Sequence, residues 1–584
     1  MRFPPILHSF FSTRRRFGYT GQFAMGYRPE NPLVVQSDRT ILLEVNHPRF
    51  SEARNLLSAF AEIERSPEHI HTYRLSPLSL WNAAAANHSP QTLLEELARL
   101  SKFPIPGNVE TEIRNWMERW GKLRLDREGE RRLVLHSADA RLMKQLRSHK
   151  KIRKFLLQDR DSRTSIVDPA FRGHLKMETA AVGWPIQDLA GYREGAAYEF
   201  TLREVTSTGR PFRVRDYQRL AAESFYAGGS PEGGAGVIVL PCGAGKTIVG
   251  MDIMRRLGRK TLILTTNIVA ARQWKSELLD KTSIPENDIK EYSGEKKEIG
   301  PVTLATYQII THRRRKTDSF THYALFDAED WGLIIYDEVH LLPAPVFRIT
   351  AELQSRRRLG LTATLIREDG REREVFSLIG PKKFDVPWRE LESSGWIAPV
   401  LCREVRVPLE PSIEDAYAVA GDREKFRLAS ANPQKWPVVQ RILEKHSADP
   451  TLVIGHYLDQ LREAADRFRA PLLTGETPNV ERERLYAAFR RGEIPLLVVS
   501  RVANFAVDLP DARVAIEISG LFGSRQEEAQ RLGRILRPKK DGERAHFYVV
   551  VTRNTIEEEF AQKRQIFLVE QGYRYEIEIA NTTG

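Results

Sequence analysis

Cysteine and long apolar runs are what this sequence has least of. Among its 584 residues there are 2 cysteines, Cys242 and Cys402. Two cysteines cannot form a disulfide framework or a four-cysteine metal site, which argues for a reducing compartment and against an iron–sulfur helicase. No apolar run approaches the ~18 residues that a transmembrane helix needs, so no membrane partner is expected.

The sequence contains fewer acidic residues than basic ones. Eighty-nine Lys and Arg stand against 77 Asp and Glu, which gives a net charge of +12. A basic protein favours an anionic partner, and nucleic acid is the usual one, although a protein that is merely basic would have the same balance. The length allows roughly three or four domains of about 150 residues each.

The first 25 residues differ in composition from the rest. The stretch "SFFSTRRRFGY" is rich in Arg and Ser and lacks acidic residues, as in a transit peptide. Translation from Met25 is the rival interpretation. Residues 1–25 are therefore expected to be a targeting or non-native extension.

Residues 1–130 are predicted to contain an N-terminal α+β domain. The stretch "PLVVQSDRTILLEV" indicates two strands around a turn. Ser89 caps a helix that begins with Pro90, and a later helix is expected to be capped by Asn108 and stopped by Gly121. Short helices followed by "KLRL" admit a winged-helix interpretation.

A second small unit is expected over residues 131–202. It carries the basic run "RSHKKIRK" at residues 147–154. Such a run fits a phosphate backbone, and it fits a solvated helix face equally well.

The pattern changes at about residue 203, where short β-rich runs begin to alternate with helical stretches. The runs are "GVIVLP", "TLILTT", "VTLATY", "GLIIYDE" and "RLGLTAT", and after residue 434 "TLVIGH", "PLLTG", "PLLVVS", "VAIEIS" and "HFYVVV". This alternation predicts two α/β domains with parallel sheets, at 203–400 and 434–584. An insertion at 411–432 is expected to form polar helices.

The stretch "LPCGAGKTIVG" follows an apolar strand and opens a helix. Gly243 and Gly245 allow a tight turn whose amides point at phosphate oxygens. Lys246 can reach the β and γ phosphates, and Thr247 can hold Mg²⁺. The full G-x-x-x-x-G-K-[ST] pattern is not met, because Leu240 stands at its first glycine.

Two further stretches carry chemistry that fits a phosphate loop. "LIIYDEVH" is an apolar strand that ends in Asp337, suited to Mg²⁺, and Glu338, suited to orient and deprotonate water. "QEEAQRLGRILR" puts Gln530, Arg534 and Arg537 on one helix face. An Arg supplied from the second domain would make hydrolysis depend on domain closure.

Taken in order, these motifs resemble the XPB family of superfamily 2 helicases. The similarity is carried by "RDYQ", "LPCGAGKT", "TTNIVAARQW", "ATYQ", "DEVH", "LTATLIREDGR", "VVSRVANFAVDLP" and "SRQEEAQRLGRILRP". It implies two RecA-like domains preceded by small α+β domains. The 131–202 unit sits where the family has a damage-recognition-like domain, and the 411–432 insertion where it has a thumb.

The resemblance also implies roles for individual residues. Gln218 would read adenine, Thr362 and Thr364 would couple the ATP state to DNA, and Arg534 and Arg537 would act as arginine fingers. The implied nucleotide-binding residues are Arg215, Gln218, Leu240, Pro241, Cys242, Gly243, Ala244, Gly245, Lys246, Thr247 and Asp508. The implied DNA-contacting or coupling residues are Thr266, Thr306, Thr362, Thr364, Arg367, Glu368, Asp369 and Ser500.

The expected activity is that of an ATP- and Mg²⁺-dependent DNA helicase or translocase with 3′ to 5′ polarity, acting in repair or remodelling. The alternatives are a duplex translocase that does not separate strands and an ATP-switched scaffold for a nuclease. The expected partners are single-stranded DNA, duplex junctions and, from the resemblance, a nuclease. The protein is expected to be a monomer in the prokaryotic cytoplasm, associated with the nucleoid.

The charged triplet Arg367, Glu368 and Asp369 follows the strand that contains Thr362. The resemblance ties this triplet to unwinding, and two carboxylates make a plain phosphate-binding patch a poor interpretation. It is expected to act where the strands separate. A solvated turn with weak surface ion pairs is the alternative.

Overall fold

The structure is a computed structural model that describes most of the chain from residue 27 to residue 580. The described residues are 27–65, 69–129, 132–230, 233–241, 243–312, 322–326, 328–342, 346, 350, 353, 356–363, 371–386, 391, 400–500, 512–520, 544–570 and 574–580. The expected extension at 1–25 and the alternative start at Met25 lie outside them. In the described residues no helix has both the length and the apolar character to cross a membrane.

The N-terminal unit is an antiparallel four-stranded sheet covered by helices, in the strand order β1-β2-β4-β3. Its strands are β1 (Leu33–Val35), β2 (Thr40–Glu44), β3 (Glu62–Arg65) and β4 (Ile70–Arg74). Its helices are α1 (Phe50–Ser58), α2 (Pro77–Ala85), α3 (Pro90–Leu100) and α4 (Gly107–Met117). Buried side chains of β1, β2, β4 and the four helices form one apolar core.

The helix starts of this unit partly follow the sequence signals. The Ser89 hydroxyl accepts a hydrogen bond from the Thr92 amide at 3.0 Å, and Pro90 opens α3, as predicted. Asn108 does not cap α4, which begins one residue earlier. The Asn108 side chain instead donates to the Ser37 carbonyl at 2.7 Å and so ties α4 to the β1–β2 turn.

The second unit is a mixed five-stranded sheet in the order β7-β8-β6-β5-β9. Its strands are β5 (Leu123–Glu128), β6 (Arg132–Ser137), β7 (Leu156–Asp159), β8 (Thr164–Val167) and β9 (Ile186–Asp188), and its helices are α5 (Ala140–Ser148), α6 (Lys150–Arg153) and α7 (Arg172–Ala181). The last three residues of the "KLRL" stretch lie in β5, which pairs with β6 and β9. The sheet of the second unit therefore begins before the boundary expected at residue 131, because β5 is hydrogen-bonded to strands of that unit.

The described part of the first α/β domain is a seven-stranded parallel sheet in the order β12-β13-β11-β14-β15-β10-β16. Its strands are β10 (Ala235–Val239), β11 (Thr261–Thr265), β12 (Ile289–Tyr292), β13 (Val302–Thr306), β14 (Leu333–Asp337), β15 (Arg357–Thr362) and β16 (Lys382–Asp385). Its helices are α8 (Asp216–Tyr226), α9 (Lys246–Leu257), α10 (Ile268–Lys281), α11 (Tyr307–Ile310) and α12 (Glu372–Leu378). Helices on both faces bury the central strands, which explains their continuous apolar sequence.

The described part of the second α/β domain is another seven-stranded parallel sheet, ordered β19-β20-β18-β21-β22-β17-β23. Its strands are β17 (Val400–Val407), β18 (Thr451–Gly455), β19 (Leu472–Leu473), β20 (Leu496–Ser500), β21 (Val514–Glu517), β22 (Ala545–Thr552) and β23 (Arg574–Ile579). Its helices are α13 (Glu414–Val419), α14 (Asp422–Ser430), α15 (Lys435–Lys445), α16 (Leu458–Phe468), α17 (Asn479–Arg490) and α18 (Ile556–Glu570).

The second α/β domain thus starts earlier than residue 434. Strand β17 pairs with β22 and β23, so residues 400–407 belong to its sheet. The polar helices α13 and α14 are an insertion within this domain, after its first strand. A local pattern could not reveal this, because β17 is separated in sequence from both of its neighbours.

A buried group of charges joins the second unit to the first α/β domain. Asp188 accepts from Arg172 at 2.8 Å and from Lys176 at 3.0 Å, and all three side chains are buried. Burial lowers the pKa of Lys176 to about 8. The nearby cations Arg358 and Arg172 also lower this pKa, whereas the Asp188 carboxylate raises it. Arg358 belongs to β15, so the second unit rests against the start of that central strand.

Candidate nucleotide-binding site

The phosphate loop lies between the end of β10 and the start of α9. Gly243 and Gly245 have φ angles of +80° and +79°, in the left-handed region that favours glycine. A Cβ atom at Gly245 would lie 2.5 Å from Gln218 Nε2, so a larger residue there would displace the Gln218 amide. Backbone amides in such a turn, followed by a helix N-terminus, form an anion-binding concavity.

Gln218 holds this loop from α8. Its Oε1 accepts from the Arg215 amide at 3.0 Å, and its Nε2 donates to the Ala244 carbonyl at 2.9 Å. The Tyr217 hydroxyl donates to the same carbonyl at 2.7 Å. Gln218 is 3% exposed. The structure thus brings the predicted Arg215 and Gln218 to the phosphate loop.

The two predicted acidic residues lie at the carboxyl end of β14, facing the loop. Lys246 Nζ is 3.5 Å from Glu338 Oε1, and both side chains are largely buried. Glu338 has a φ of +51°, which is uncommon and strained for a residue with a side chain. The strained turn points the Glu338 carboxylate toward the phosphate loop.

Asp337 is held on several sides. Its Oδ2 accepts from the Trp274 indole N–H at 2.9 Å, and its Oδ1 accepts from the Glu338 amide at 3.1 Å. The Tyr307 hydroxyl donates to its backbone carbonyl at 2.8 Å. Burial raises the pKa of the Asp337 carboxyl to about 6, with the Glu338 carboxylate acting in the same direction. The site therefore disfavours a bare negative charge at Asp337 and favours a cation beside it.

Thr362 is brought to the same edge by β15, which lies between β14 and β10. His340 Nδ1 is 2.6 Å from Thr362 Oγ1 and 3.5 Å from Glu338 Oε2. The Leu240 amide donates to the Thr362 carbonyl at 2.9 Å. The strand that bears Thr362 therefore contacts the acidic residues and the loop together.

Three family models match the chain, and two of them describe helicases. They are ERCC3/RAD25/XPB C-terminal helicase at residues 391–583, Type III restriction enzyme, res subunit at 211–367, and Helicase conserved C-terminal domain, which matches the N-terminal region at 33–161. Together they match parts of both α/β domains and of the two units ahead of them.

Curated relatives are similar over nearly the whole chain. DNA 3′-5′ helicase XPB of Mycobacterium tuberculosis is 54% identical, with 94% of this chain and 98% of that protein covered. DNA 3′-5′ helicase XPB of Kineococcus radiotolerans is 52% identical, with 94% and 96% covered. The chain belongs to the XPB family of superfamily 2 DNA helicases.

Solved structures resemble this XPB-family helicase more weakly. The ATP-dependent Type ISP restriction-modification enzyme LlaBIII bound to DNA is 13% identical, has a TM-score of 0.48, and covers 64% of this chain and 32% of that one. That weak similarity adds nothing to the family assignment. The curated relatives confirm the predicted ATP-dependent 3′ to 5′ DNA helicase, and the two seven-stranded parallel sheets confirm the two predicted RecA-like domains.

The remaining predicted residues of this helicase divide into two groups. Thr266, Thr306 and Ser500 lie at the carboxyl ends of β11, β13 and β20, where ligands bind in open parallel sheets. Thr306 also caps α11 by accepting from the Ile309 amide. The predicted residues outside the described part of the chain are Cys242, Thr364, Arg367, Glu368, Asp369, Asp508, Gln530, Arg534 and Arg537.

Sequence reasoning missed the side chains that support the acidic residues. Trp274 ends the stretch "TTNIVAARQW" and His340 ends "DEVH", so both stood inside recognised motifs. Tyr217 and Tyr307 likewise adjoin predicted residues. No local signal distinguished these four from ordinary core residues, because their partners lie on other elements.

The site suits a bound Mg²⁺ ion. Mg²⁺ takes one or two protein oxygens and completes its octahedral shell with waters and phosphates. Thr247 lies in the first turn of α9, and the buried Asp337 carboxylate at the end of β14 supplies a negative oxygen. These two groups match the hydroxyl and carboxylate that hold Mg²⁺ in phosphate-loop proteins.

Proposed function

We propose that this XPB-family helicase hydrolyses ATP between its phosphate loop and the carboxyl end of β14. The observation that carries the proposal is the 3.5 Å ion pair between Lys246 and Glu338. Lys246, which is suited to the phosphates, and Glu338, which is suited to be the base, therefore lie close enough to act on the same phosphate group. Lys246 is suited to bind the γ-phosphate of ATP, and Glu338 is suited to orient and deprotonate the attacking water.

The other residues of the site bind and orient the nucleotide. The amides around Gly243 and Gly245 cradle the phosphates, and we assign Thr247 and Asp337 as protein ligands of Mg²⁺. Held by Thr247 and Asp337, Mg²⁺ would supply positive charge that offsets the charge developing on the phosphates during transfer. Gln218 is assigned to adenine recognition, in addition to the contact with the loop described above.

The second RecA-like domain is proposed to complete the site. Gln530, Arg534 and Arg537 would present one helix face to the γ-phosphate, and Asp508 would contact the ribose or the coupling network. An arginine finger supplied across the cleft makes hydrolysis depend on closure of the two domains. Each ATP would then drive one cycle of closing and opening along a DNA strand.

DNA contacts are proposed for the second unit as well as for the two motor domains. Lys150, Lys151, Arg153 and Lys154 are exposed on and just after α6. Beside them, Phe171 is 38% exposed and its ring lies 5.3 Å from that of Phe155. Cations with an adjoining aromatic surface fit single-stranded nucleic acid, which binds by phosphate contacts and base stacking. This supports a damage-recognition-like role for the unit.

The triplet Arg367, Glu368 and Asp369 is proposed to act at the point of strand separation. It follows Thr362, which the structure locates beside Glu338 through His340. Replacing all three residues by Ala should abolish unwinding of a 3′-tailed duplex and largely retain DNA-stimulated ATPase activity. Wild-type unwinding by a folded triple variant would contradict this role.

The biological setting is proposed from the family. The protein would act as a monomer in the prokaryotic cytoplasm on single-stranded DNA and duplex junctions that arise in repair, together with a nuclease. The 411–432 insertion is proposed to act as a thumb against the DNA.

ATPase activity on DNA substrates with defined 3′ and 5′ tails tests the proposal directly. Stimulation by DNA, loss of turnover in Glu338→Gln and strand displacement that requires a 3′ tail are expected. A triplex-displacement assay run in parallel identifies a duplex translocase if triplex is displaced without strand separation. Slow turnover that DNA does not change would instead indicate the ATP-switched scaffold.

A further inference from the structure

The indole of Trp274 reaches from α10 to the acidic end of β14. Its Nε1–H donates to Asp337 Oδ2 at 2.9 Å, and the residue is only 2% exposed. The indole N–H is a donor and never an acceptor, so it matches an ionised carboxylate or the acceptor oxygen of a protonated one. The contact therefore fixes the rotation of the carboxyl group.

A glycine on α9 makes room for this indole. A Cβ atom at Gly250 would lie 2.6 Å from Trp274 Cη2, closer than real Cβ contacts allow. Glycine is unfavourable in a helix interior, so its presence one turn after Lys246 needs a reason. The reason on this helix is that the indole crosses it on the way to Asp337.

A second buried tryptophan in the same domain shows what a purely structural role looks like. Trp331 is 0% exposed, and its Nε1–H donates to the Leu325 backbone carbonyl at 3.0 Å. It precedes β14 and so lies at the opposite end of the strand from Asp337. Both indoles are buried in the core and donate a hydrogen bond. The acceptor of Trp331 is a backbone carbonyl, whereas the acceptor of Trp274 is the Asp337 carboxylate.

We propose that Trp274 is a positioning residue that orients the Asp337 carboxylate for Mg²⁺. This inference rests on the proposed function, in which Asp337 is a ligand of Mg²⁺. With Oδ2 held by the indole and Oδ1 by the Glu338 amide, the remaining lone pairs point in fixed directions. Groups that orient a metal ligand typically change metal affinity about 10- to 100-fold when they are removed.

The test is Mg²⁺-dependent binding of a fluorescent ADP to Trp274→Phe, which keeps most of the ring and loses the N–H. The Mg²⁺ concentration for half-maximal binding should rise about 10-fold or more. Binding without Mg²⁺ should be unchanged, because the phosphate loop is intact. In the matched variant Trp331→Phe, both quantities should equal those of the wild type. ATP turnover of Trp274→Phe should recover at high Mg²⁺ concentration.

Two further variants keep the result interpretable. Gly250→Ala keeps the tryptophan at position 274 but pushes its indole away from Asp337, so the Mg²⁺ concentration for half-maximal binding should again rise. This variant tests the proposal even if Trp274→Phe fails to fold. Asp337→Asn measures the contribution of the ligand itself. No shift in Asp337→Asn would overturn the proposed function of that residue. A shift in Asp337→Asn with none in folded Trp274→Phe or Gly250→Ala would overturn the positioning role alone.

Discussion

His340 and Thr362 share a buried hydrogen bond of 2.6 Å between Nδ1 and Oγ1. The bond joins the end of β14, which bears Asp337 and Glu338, to the end of β15. His340 is 4% exposed and Thr362 is 0% exposed, so the bond is shielded from solvent. A change at the carboxylates on ATP binding can therefore reach the strand that leads to Arg367, Glu368 and Asp369.

Thr362→Val should uncouple ATP hydrolysis from DNA. Valine keeps the shape of threonine and removes the hydroxyl, while Lys246 and Glu338 remain. Basal ATPase activity should stay near that of the wild type, and its stimulation by DNA should fall at least about fivefold. His340→Ala should also reduce the stimulation by DNA, because it removes the other partner of this hydrogen bond. Full stimulation in Thr362→Val would contradict this coupling.

Lys246→Ala should abolish ATP hydrolysis. The loop amides remain, but the ammonium group that reaches the β and γ phosphates is lost. Glu338→Gln should lose turnover by about 10²- to 10⁴-fold and retain ATP binding, because glutamine cannot accept the proton of the attacking water. Binding of a fluorescent ATP analogue, measured beside phosphate release, separates the two variants. Turnover by Glu338→Gln at the wild-type rate would exclude Glu338 as the base.

Arg534→Ala should spare ATP binding and reduce turnover by about 10³-fold or more, on the scale of known arginine fingers. Lysine should not substitute, since it lacks the planar guanidinium. The measurement is ATPase activity in saturating DNA. Arg441→Ala, which changes an exposed arginine on α15, is the control and should be unaffected. A wild-type rate in Arg534→Ala would show that the finger is another residue.

DNA binding should weaken steeply between 50 and 200 mM salt, because phosphate contacts release counterions. Replacing Lys150 and Lys151 by Ala should weaken binding and reduce the slope of log affinity against log salt by about 1 to 2. The matched pair Arg441 and Lys445, exposed on α15 of the second RecA-like domain, removes the same charge elsewhere and should leave the slope unchanged. Equal slopes for both double variants would locate the DNA contacts outside the second unit.

Mg²⁺-dependent nucleotide binding should weaken as the pH falls from 7 to 5. Burial raises the pKa of the Asp337 carboxyl to about 6, so acidification protonates this ligand at a higher pH than an ordinary aspartate. Protons then compete with Mg²⁺, and the Mg²⁺ concentration for half-maximal binding should rise over that range. Excess Mg²⁺ should restore binding at pH 5. A requirement that is the same at pH 7 and pH 5 would contradict the raised pKa.

The sequence by itself determined the α/β architecture and the chemistry of the site. Continuous apolar runs such as Thr261–Thr265 must be buried on both faces, which predicts central strands of a parallel sheet. Gly243, Gly245 and Lys246 lie between such a run and a helix, and Asp337 and Glu338 end another run. The carboxyl ends of parallel strands share one edge, so these residues had to meet.

Only the tertiary structure decided which strands belong together and what holds the site in place. Strands β5 and β17 each belong to a sheet that the sequence pattern predicted to begin at a later residue. The pattern missed them because strands that pair in a sheet can be far apart along the chain. Trp274 reaches Asp337 across Gly250 from a different helix. Local sequence indicates which side of a segment is buried but not which other segment packs against it. These contacts therefore became visible only in the folded structure.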